Sequence, residues 1–194
     1  MSTRLPAAAR REQLLAVALE VFARQGFHGT AMNDVAEAAG VTKPVLYQHF
    51  RSKRQLYLAL LEDVGQRLRQ TIEKAGADAG SPRTQVERSF LAYFTWVHDD
   101  RDAFMLLFGS GARRDDEFAE AVRRFELAIA DAIAPMIQAD IDDEHQRILA
   151  HGLVGLAEGT SRRLLAMGDD FVPERVAEQV ADLAWAGLRG VHRT

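Results

Sequence analysis

The stretch from Thr30 to Gln55 constrains what this chain can fold into more than any other part of it. Four apolar residues recur there at i, i+3, i+4 and i+7, a spacing that predicts a short amphipathic helix: Met32, Val35, Ala36 and Ala39. Thr30 precedes this stripe and is the expected N-cap. Gly40 follows the stripe and supplies a left-handed turn residue without steric cost. The pattern therefore predicts a short helix that ends in a tight turn at Gly40.

A second short helix is predicted from Lys43 to Phe50. Thr42 is the expected N-cap, and Pro44 falls in the first turn, where its missing N–H costs little. Leu46 and Phe50, four residues apart, face inward. The outward set combines a cation, an amide, an imidazole and flat apolar surface: Lys43, Pro44, Tyr47, Gln48 and His49. A DNA major groove offers acceptors, donors and thymine methyls to such a set, so the pair of helices is interpreted as a helix-turn-helix that reads bases.

A third, longer helix begins at Lys53, where Ser52 and Gln55 form an S-x-x-Q capping box. Lys43 and Lys53 both place cations at helix N-termini, where each opposes the macrodipole by roughly 0.3–1 kcal/mol. Unfavourable charges repeated in one place indicate an anion outside the protein, and DNA phosphate is the obvious one. Phosphate contacts are therefore predicted for four residues: Thr30, Thr42, Lys43 and Lys53.

The first 60 or so residues resemble the DNA-binding domain of the tetracycline-repressor (TetR) family. The resemblance is carried by three runs in order along the chain: F-x-x-x-G-F at the end of the first helix, T-x-x-x-x-V-A-x-x-A-G-V, and L-Y-x-H-F-x-S-K-x-x-L-Y. The run KPVLYQHF, followed by SK and LYLALL, is also similar to actinobacterial members that sense long-chain acyl groups. The resemblance implies a dimeric regulator, a double-stranded DNA operator that is palindromic, and a small effector bound in a helical second domain.

The charge distribution agrees with DNA binding, although the net charge of −4 does not by itself. Residues 1–75 carry a net charge of +4, and residues 76–194 carry −8. A basic part attached to an acidic body fits a protein that faces DNA on one side. No cysteine is present, and the N-terminus lacks an apolar signal core. These features predict a cytoplasmic protein with no disulfide and no membrane partner.

The rest of the chain also reads as helices, so the predicted fold is all-α with about nine of them. The expected division places the helix-turn-helix domain in residues 1–55 and the effector-binding and dimerisation domain in residues 56–194. The last two helices are apolar on two faces, and Gly152, Gly155 and Gly159 lie on nearly one face of the eighth. Two copies of this pair would form a four-helix bundle, which predicts a homodimer through the two C-terminal helices.

Aromatic residues concentrate in the middle of the chain, where six of the ten phenylalanines fall. In the TetR family the middle helices enclose an effector cavity, so the resemblance implies that these apolar residues line it. The predicted ligand-binding residues are Phe90, Tyr93, Phe94, Val97, Phe104, Phe108, Phe125 and Leu153. Phe118 belongs to the same aromatic set. Few charges are placed to meet a ligand there, so the expected effector is apolar and acyl-bearing. The predicted function is a repressor that this effector releases from its operator.

Two other classes of protein compete with this interpretation. An all-helical enzyme is disfavoured because the histidines lack the spacing of a metal site, and neither a phosphate-binding glycine loop nor a nucleophile elbow is present. No catalytic residue, metal or cofactor is therefore predicted. A sequence-nonspecific DNA-organising protein would bind with a salt dependence but little sequence preference. The compact exposed set on the second short helix favours base reading instead.

Overall fold

Helices account for every regular element in residues 6–77, 79–109, 115–168 and 171–191, which are the residues that the computed structural model describes. In chain order they are α1 (Ala7–Gly29), α2 (Met32–Ala38), α3 (Lys43–His49), α4 (Lys53–Ala77), α5 (Pro82–Asp99), α6 (Arg101–Phe108), α7 (Asp116–Ile133), α8 (Asp143–Met167) and α9 (Pro173–Leu188). A 3-10 turn, Ala134–Met136, follows α7 and contains Pro135, which lacks the backbone N–H that a continued α-helix needs. The all-α prediction is confirmed.

The chain divides into two compact units, and the functional division predicted at residue 55 stays a prediction. The first unit comprises Met1–Gly65 and Asp102–Val122, and the second comprises Gln66–Arg101 and Arg123–Thr194. Helix α4 contributes to both because it is one continuous helix. Its first turns bury Leu56, Tyr57 and Leu60 in the first unit. Residues 102–122 join the first unit although the sequence suggested that they belong with the effector domain.

In the first unit, α1 packs against α2, and α2 packs against α3. The buried side of α1 includes five apolar residues at helical spacing: Leu14, Leu15, Ala18, Val21 and Phe22. Gly26 interrupts α1 with φ 69° and ψ 169°, a conformation that residues with a Cβ rarely adopt. The regular part of the helix therefore ends where the sequence predicted, and the chain turns there towards α2.

The connection between α1 and α2 is capped differently from the prediction. Thr30 was expected to cap α2, but its hydroxyl donates to the Gly26 carbonyl at 2.8 Å. Ala31 holds the N-cap position instead, and its N–H donates to the Asp34 carboxylate at 2.8 Å. Asp34 is the third residue of α2, and its carboxylate reaches back to the N–H at the N-cap position. Thr30 is thereby left to close the turn at Gly26.

The remaining local signals of the first unit appear as predicted. Gly40 has a positive φ of 63° after α2. Thr42 holds the N-cap position of α3, but its side chain makes no capping hydrogen bond. At the start of α4, the Ser52 hydroxyl accepts from the Gln55 N–H at 3.1 Å, and the Gln55 side chain accepts from the Arg51 N–H at 2.6 Å. These bonds hold α3 and α4 at a tight corner.

In the second unit, α5 packs mainly against α9 and also contacts α8. Ser81 caps α5 by accepting from the Thr84 N–H at 3.1 Å, and Asp142 caps α8 by accepting from the His145 N–H at 2.8 Å. A small core lies where α8 meets the 3-10 turn and is formed by Ala130, Ala134, Ile137 and Ala150.

Candidate nucleic-acid interface and effector site

Helix α3 has one buried side and one exposed side. Leu46 is completely buried, and Phe50, just after the helix, is 1% exposed. The predicted outward residues Thr42, Lys43, Pro44, Tyr47 and Gln48 are exposed, Tyr47 to 46%, while His49 is half-buried. The structure thus brings five of the predicted DNA-binding residues together on the solvent side of one helix.

The turn before α3 holds this helix against α2. The Val41 N–H donates to the Ala36 carbonyl at 2.9 Å, and the Gly40 N–H donates to the Glu37 carbonyl at 3.0 Å. These two bonds are a pairing that commonly ends a helix at a left-handed glycine. On the other side, the Arg11 guanidinium lies 5.0 Å from the centre of the Phe50 ring. The orientation of α3 is therefore fixed at both of its ends.

Lys53 was predicted to hold a phosphate, and the structure gives its ammonium internal partners. Nζ donates to the carbonyls of Phe27 at 2.6 Å and Thr30 at 2.7 Å, with a longer contact of 3.5 Å to His28. It also lies 4.6 Å from the centre of the Phe27 ring. Lys53 therefore ties the start of α4 to the turn between α1 and α2. Its contact with phosphate stays a prediction.

Thr30 shares this environment, because its side chain is 2% exposed and its carbonyl accepts from Lys53. A hydroxyl that is buried and already donating is poorly placed to meet a phosphate. The predicted DNA-binding residues therefore fall into two groups: those exposed on and just before α3, and those in the corner between α1 and α4.

Arg54 makes an ion pair that the sequence analysis did not identify. Its guanidinium meets the Asp115 carboxylate with contacts of 2.7 and 2.9 Å, and it approaches the Glu117 carboxylate at 3.0 Å. Asp115 also caps α7 by accepting from the N–H of Glu117 at 3.1 Å. The guanidinium lies 4.8 Å from the centre of the Phe118 ring. No local pattern signals this pair, because its members are 61 residues apart.

Phe118 lies in the first unit rather than with the aromatic residues of α5. Its ring centre is 4.8 Å from that of Phe27 and 4.6 Å from that of Tyr57. Tyr57 in turn meets Phe22 edge-on at 5.0 Å. Burial raises the pKa of Tyr57 to about 12. Phe118 is thus part of the aromatic core of the first unit.

The predicted effector residues are divided between the two units. Phe90, Tyr93, Phe94 and Val97 form the buried side of α5 in the second unit, with 6.2 Å between the ring centres of Phe90 and Phe94. Phe125 and Leu153 are half-buried in the same unit, and Leu153 packs against the core around Ala134. Two others, Phe104 and Phe108, are buried in the first unit, 5.0 Å apart.

A polar group interrupts the apolar side of α5. The hydroxyls of Tyr93 and Ser161 are both buried and have no hydrogen-bond partner among the described residues. Burial raises the pKa of Tyr93 far above its usual value. Ser161 was not predicted as a site residue. The available signal was the position of this serine within one helical turn of two charged residues, Glu158 and Arg162.

The glycine-containing face of α8 is exposed. A side chain added at Gly152, Gly155 or Gly159 would meet open space within the protomer. Ile148 shares this face and is 62% exposed, and Leu183 on α9 is 63% exposed. Small residues let a second backbone approach closely, and exposed large apolar side chains are typical of an interaction surface.

Two kinds of feature are absent from the part of the chain that the structure describes. No group of three or more His, Asp or Glu side chains there is arranged to hold a metal ion. No helix in the same residues combines the length and apolar character needed to cross a membrane.

Comparison with protein families matches both parts of the chain. The model described as bacterial regulatory proteins of the tetR family matches residues 14–60. The model of a tetracyclin repressor-like C-terminal domain matches residues 82–187.

Individual relatives agree with these matches. The transcriptional activator FasR of Mycolicibacterium smegmatis is 33% identical over 193 residues, covering 98% of this chain and 88% of its own. The transcriptional repressor KstR2 of the same organism is 32% identical over 107 residues, covering 55% of this chain and 52% of its own.

Two solved structures show the same architecture. A TetR-like regulator from Rhodococcus sp. RHA1 has a TM-score of 0.77 at 29% identity, over 97% of this chain and all of its own. The fatty acid degradation regulator FadR of Bacillus halodurans has a TM-score of 0.81 over 98% of this chain and all of its own. Its identity is 16%, so this second likeness concerns the fold alone.

Proposed function

This chain belongs to the TetR family of helix-turn-helix transcription regulators, and from that premise we propose that it binds a palindromic operator as a homodimer and is released by an apolar effector. A transcription regulator must reach chromosomal DNA, which in a bacterium is in the cytoplasm, so the proposal includes a cytoplasmic location. No catalytic role is assigned, because the relatives named above are transcription regulators.

The observation that carries the DNA-binding proposal is the exposed side of α3. Lys43, Pro44, Tyr47 and Gln48 all lie on it, while Leu46 and Phe50 anchor the helix from behind. An amide pairs with adenine in a major groove, a ring packs on thymine methyls, and an ammonium meets phosphate or guanine. We assign base contacts to Pro44, Tyr47, Gln48 and His49, and phosphate contacts to Thr42 and Lys43.

Gln48→Ala tests this assignment on DNA selected from a random pool by the wild-type protein. The variant should lose about 5–150-fold in affinity for each half-site of the selected sequence, which corresponds to one bidentate base contact, and almost nothing on random DNA. The matched control is Gln70→Ala, which removes an exposed amide from α4. Equal losses on selected and random DNA for Gln48→Ala would contradict base reading by this side chain.

The dimer proposal rests on the exposed face of α8 together with Leu183 of α9. Two reading helices about one DNA turn apart, roughly 34–36 Å, require such a two-fold pairing. Leu183→Asp should convert the dimer to a monomer in sedimentation, since it places a charge in a closely packed interface. Leu127→Asp is the control, because Leu127 is 48% exposed but lies on α7. A dimer that persists in the Leu183 variant would exclude this face.

The effector proposal rests on the buried apolar side of α5 and on the similarity to acyl-sensing members of the family. An effector weakens operator binding only by favouring a conformation with a different spacing of the reading helices. A long-chain probe such as methyl dodecanoate should therefore reduce operator affinity by roughly 5–150-fold. A probe that binds the protein and leaves operator affinity unchanged would argue against release.

The direction of regulation has two candidates. The sequence predicts a repressor, as KstR2 is described, whereas FasR, which matches nearly the whole chain, is described as an activator. Transcription in vitro from a promoter that carries the selected operator decides between them. Lower transcript yield on adding protein supports repression, and higher yield supports activation.

A further inference from the structure

Two hydroxyl groups in the second unit are buried without a hydrogen-bond partner among the described residues: those of Tyr93 on α5 and Ser161 on α8. The Tyr93 residue is 6% exposed, and Ser161 is completely buried. Buried hydroxyls in native proteins are nearly always hydrogen-bonded, because an unpaired one has lost water without compensation. Two such groups in one unit therefore need an explanation.

The two hydroxyls lie in the same place, where α5 contacts α8. Burial raises the pKa of the Tyr93 phenol, and the nearby Ser161 hydroxyl lowers this pKa as a hydrogen-bonding group. The two hydroxyls are therefore close together. The pair nevertheless makes no hydrogen bond of good geometry. The rings of Phe94 and Trp96 lie 5.3 and 6.3 Å from the Tyr93 ring. The two hydroxyls therefore form a small polar site next to aromatic side chains.

Beside the two hydroxyls, the charges of Glu158 and Arg162 neutralise each other. The Arg162 Nε donates to the Glu158 carboxylate at 2.8 Å, and Glu158 is mostly buried. Glu158 raises the pKa of Tyr93 while Arg162 lowers it, so their effects on the phenol oppose. A carboxylate brought here would find the guanidinium already engaged and would remain an uncompensated charge. A neutral hydrogen-bond acceptor would meet no such penalty.

We propose that Tyr93 and Ser161 donate hydrogen bonds to a neutral carbonyl oxygen of the effector, so that the protein selects esters, thioesters or amides of an apolar chain over free acids and hydrocarbons. The inference rests on the proposed effector response and makes this hydroxyl pair its specificity determinant. The phenol and the serine hydroxyl gain their missing partner only when such a ligand is bound. Discrimination by a pair of buried polar groups is strong, because a ligand without the acceptor leaves both unpaired.

The test measures binding of three probes of similar length to the full-length dimer: methyl dodecanoate, dodecanoate and tridecane. Wild-type protein should bind the ester about tenfold or more tightly than either other probe. Tyr93→Phe and Ser161→Ala should each weaken ester binding by about 3–10-fold and leave tridecane binding unchanged. Tyr57→Phe is the matched control, because it removes another buried phenol from the first unit and should not alter the preference.

A second readout separates recognition from a structural role. Tyr93→Phe removes an unpaired buried hydroxyl, so the ligand-free variant should melt at a higher temperature than wild type, whereas a structural phenol would lower the melting temperature. If Tyr93→Phe does not fold, the inference is overturned for Tyr93, and Ser161→Ala then decides for the site.

The outcomes distinguish this inference from the proposed function. Equal wild-type affinity for ester and tridecane, or variants that lose both probes equally, would overturn the carbonyl recognition and leave an apolar effector in place. Tighter binding of dodecanoate than of the ester would overturn the neutral acceptor. Failure of wild-type protein to bind any of the three probes would overturn the proposed apolar effector, and the inference with it.

Discussion

Replacement of Lys53 by Met should destabilise the first unit by about 2–3 kcal/mol. The lost ammonium donates to the carbonyls of Phe27 and Thr30 at 2.6 and 2.7 Å. Hydrogen bonds that involve a charged group contribute about 1.5–3 kcal/mol each, and the contact with the Phe27 ring adds about 0.5–1 kcal/mol. The side chain is half-buried, so water can reach part of the site in the variant. The sum would be about 3.5 kcal/mol or more, and access of water to the variant's site lowers the expected loss to about 2–3 kcal/mol.

Urea unfolding followed by circular dichroism measures this loss directly. For a chain of this size, each kcal/mol lowers the melting temperature by about 2–4 °C, so a fall of roughly 4–12 °C is expected. Lys43→Met is the matched control, because it makes the same chemical change on an exposed side chain at the start of α3. Its stability should remain within about 0.5 kcal/mol of wild type.

The same two variants separate support of the fold from contact with DNA. A dimer loses two phosphate contacts with Lys43→Met, so the slope of log affinity against log salt should fall by about 1.8. We expect less than half of this change for Lys53→Met, since two of its three donors already face carbonyls. A stability loss below about 0.5 kcal/mol for Lys53→Met would refute the structural role, and a full change in slope would show that its ammonium also neutralises a phosphate.

Three further perturbations follow from the first unit. Burial raises the pKa of Tyr57 to about 12, so its contribution to stability is complete below pH 10 and is lost as the pH rises to 12. The wild-type protein should therefore lose about 2–3 kcal/mol of unfolding free energy over this pH range, and Tyr57→Phe should not show this loss. Urea midpoints measured across the range test this. A double-mutant cycle on Arg54 and Asp115 should give a coupling of about 1 kcal/mol at low salt that at least halves at high salt, and a salt-independent coupling would contradict an exposed ion pair. Gly26→Ala should cost about 1–3 kcal/mol in unfolding free energy from backbone strain alone, because a Cβ there meets no atom within 4 Å; an unchanged midpoint would show that the turn relaxes.

Interactions within one or two helical turns could be predicted from the sequence. The spacing of Leu46 and Phe50 determined which side of α3 is buried, because the helical period places residues four apart on one face. Gly40 was expected to take a positive φ, since glycine lacks the Cβ that clashes in this conformation. The capping role of Ser52 was predictable for a similar reason, because an N-cap side chain finds its partner three residues away.

Even local patterns left one choice open. Thr30 and Asp34 both offered oxygen atoms to the start of α2, and only the turn at Gly26 decided that Asp34 accepts from the Ala31 N–H while Thr30 donates to the Gly26 carbonyl. Two local solutions of similar energy cannot be ranked from spacing, because the backbone between Gly26 and Ala31 sets which donor each oxygen can reach.

Partners that are distant in the chain were decided by the tertiary structure alone. Lys53 meets carbonyls 23 and 26 residues before it, and Arg54 meets Asp115 61 residues after it. The buried hydroxyls of Tyr93 and Ser161 come together only because α5 packs on α8. The spacing of apolar residues along a helix predicts which of its faces is buried, but not which other helix packs against that face. The sequence by itself therefore determined the helices and the exposed face of α3, and helix packing determined which charges and hydroxyls meet.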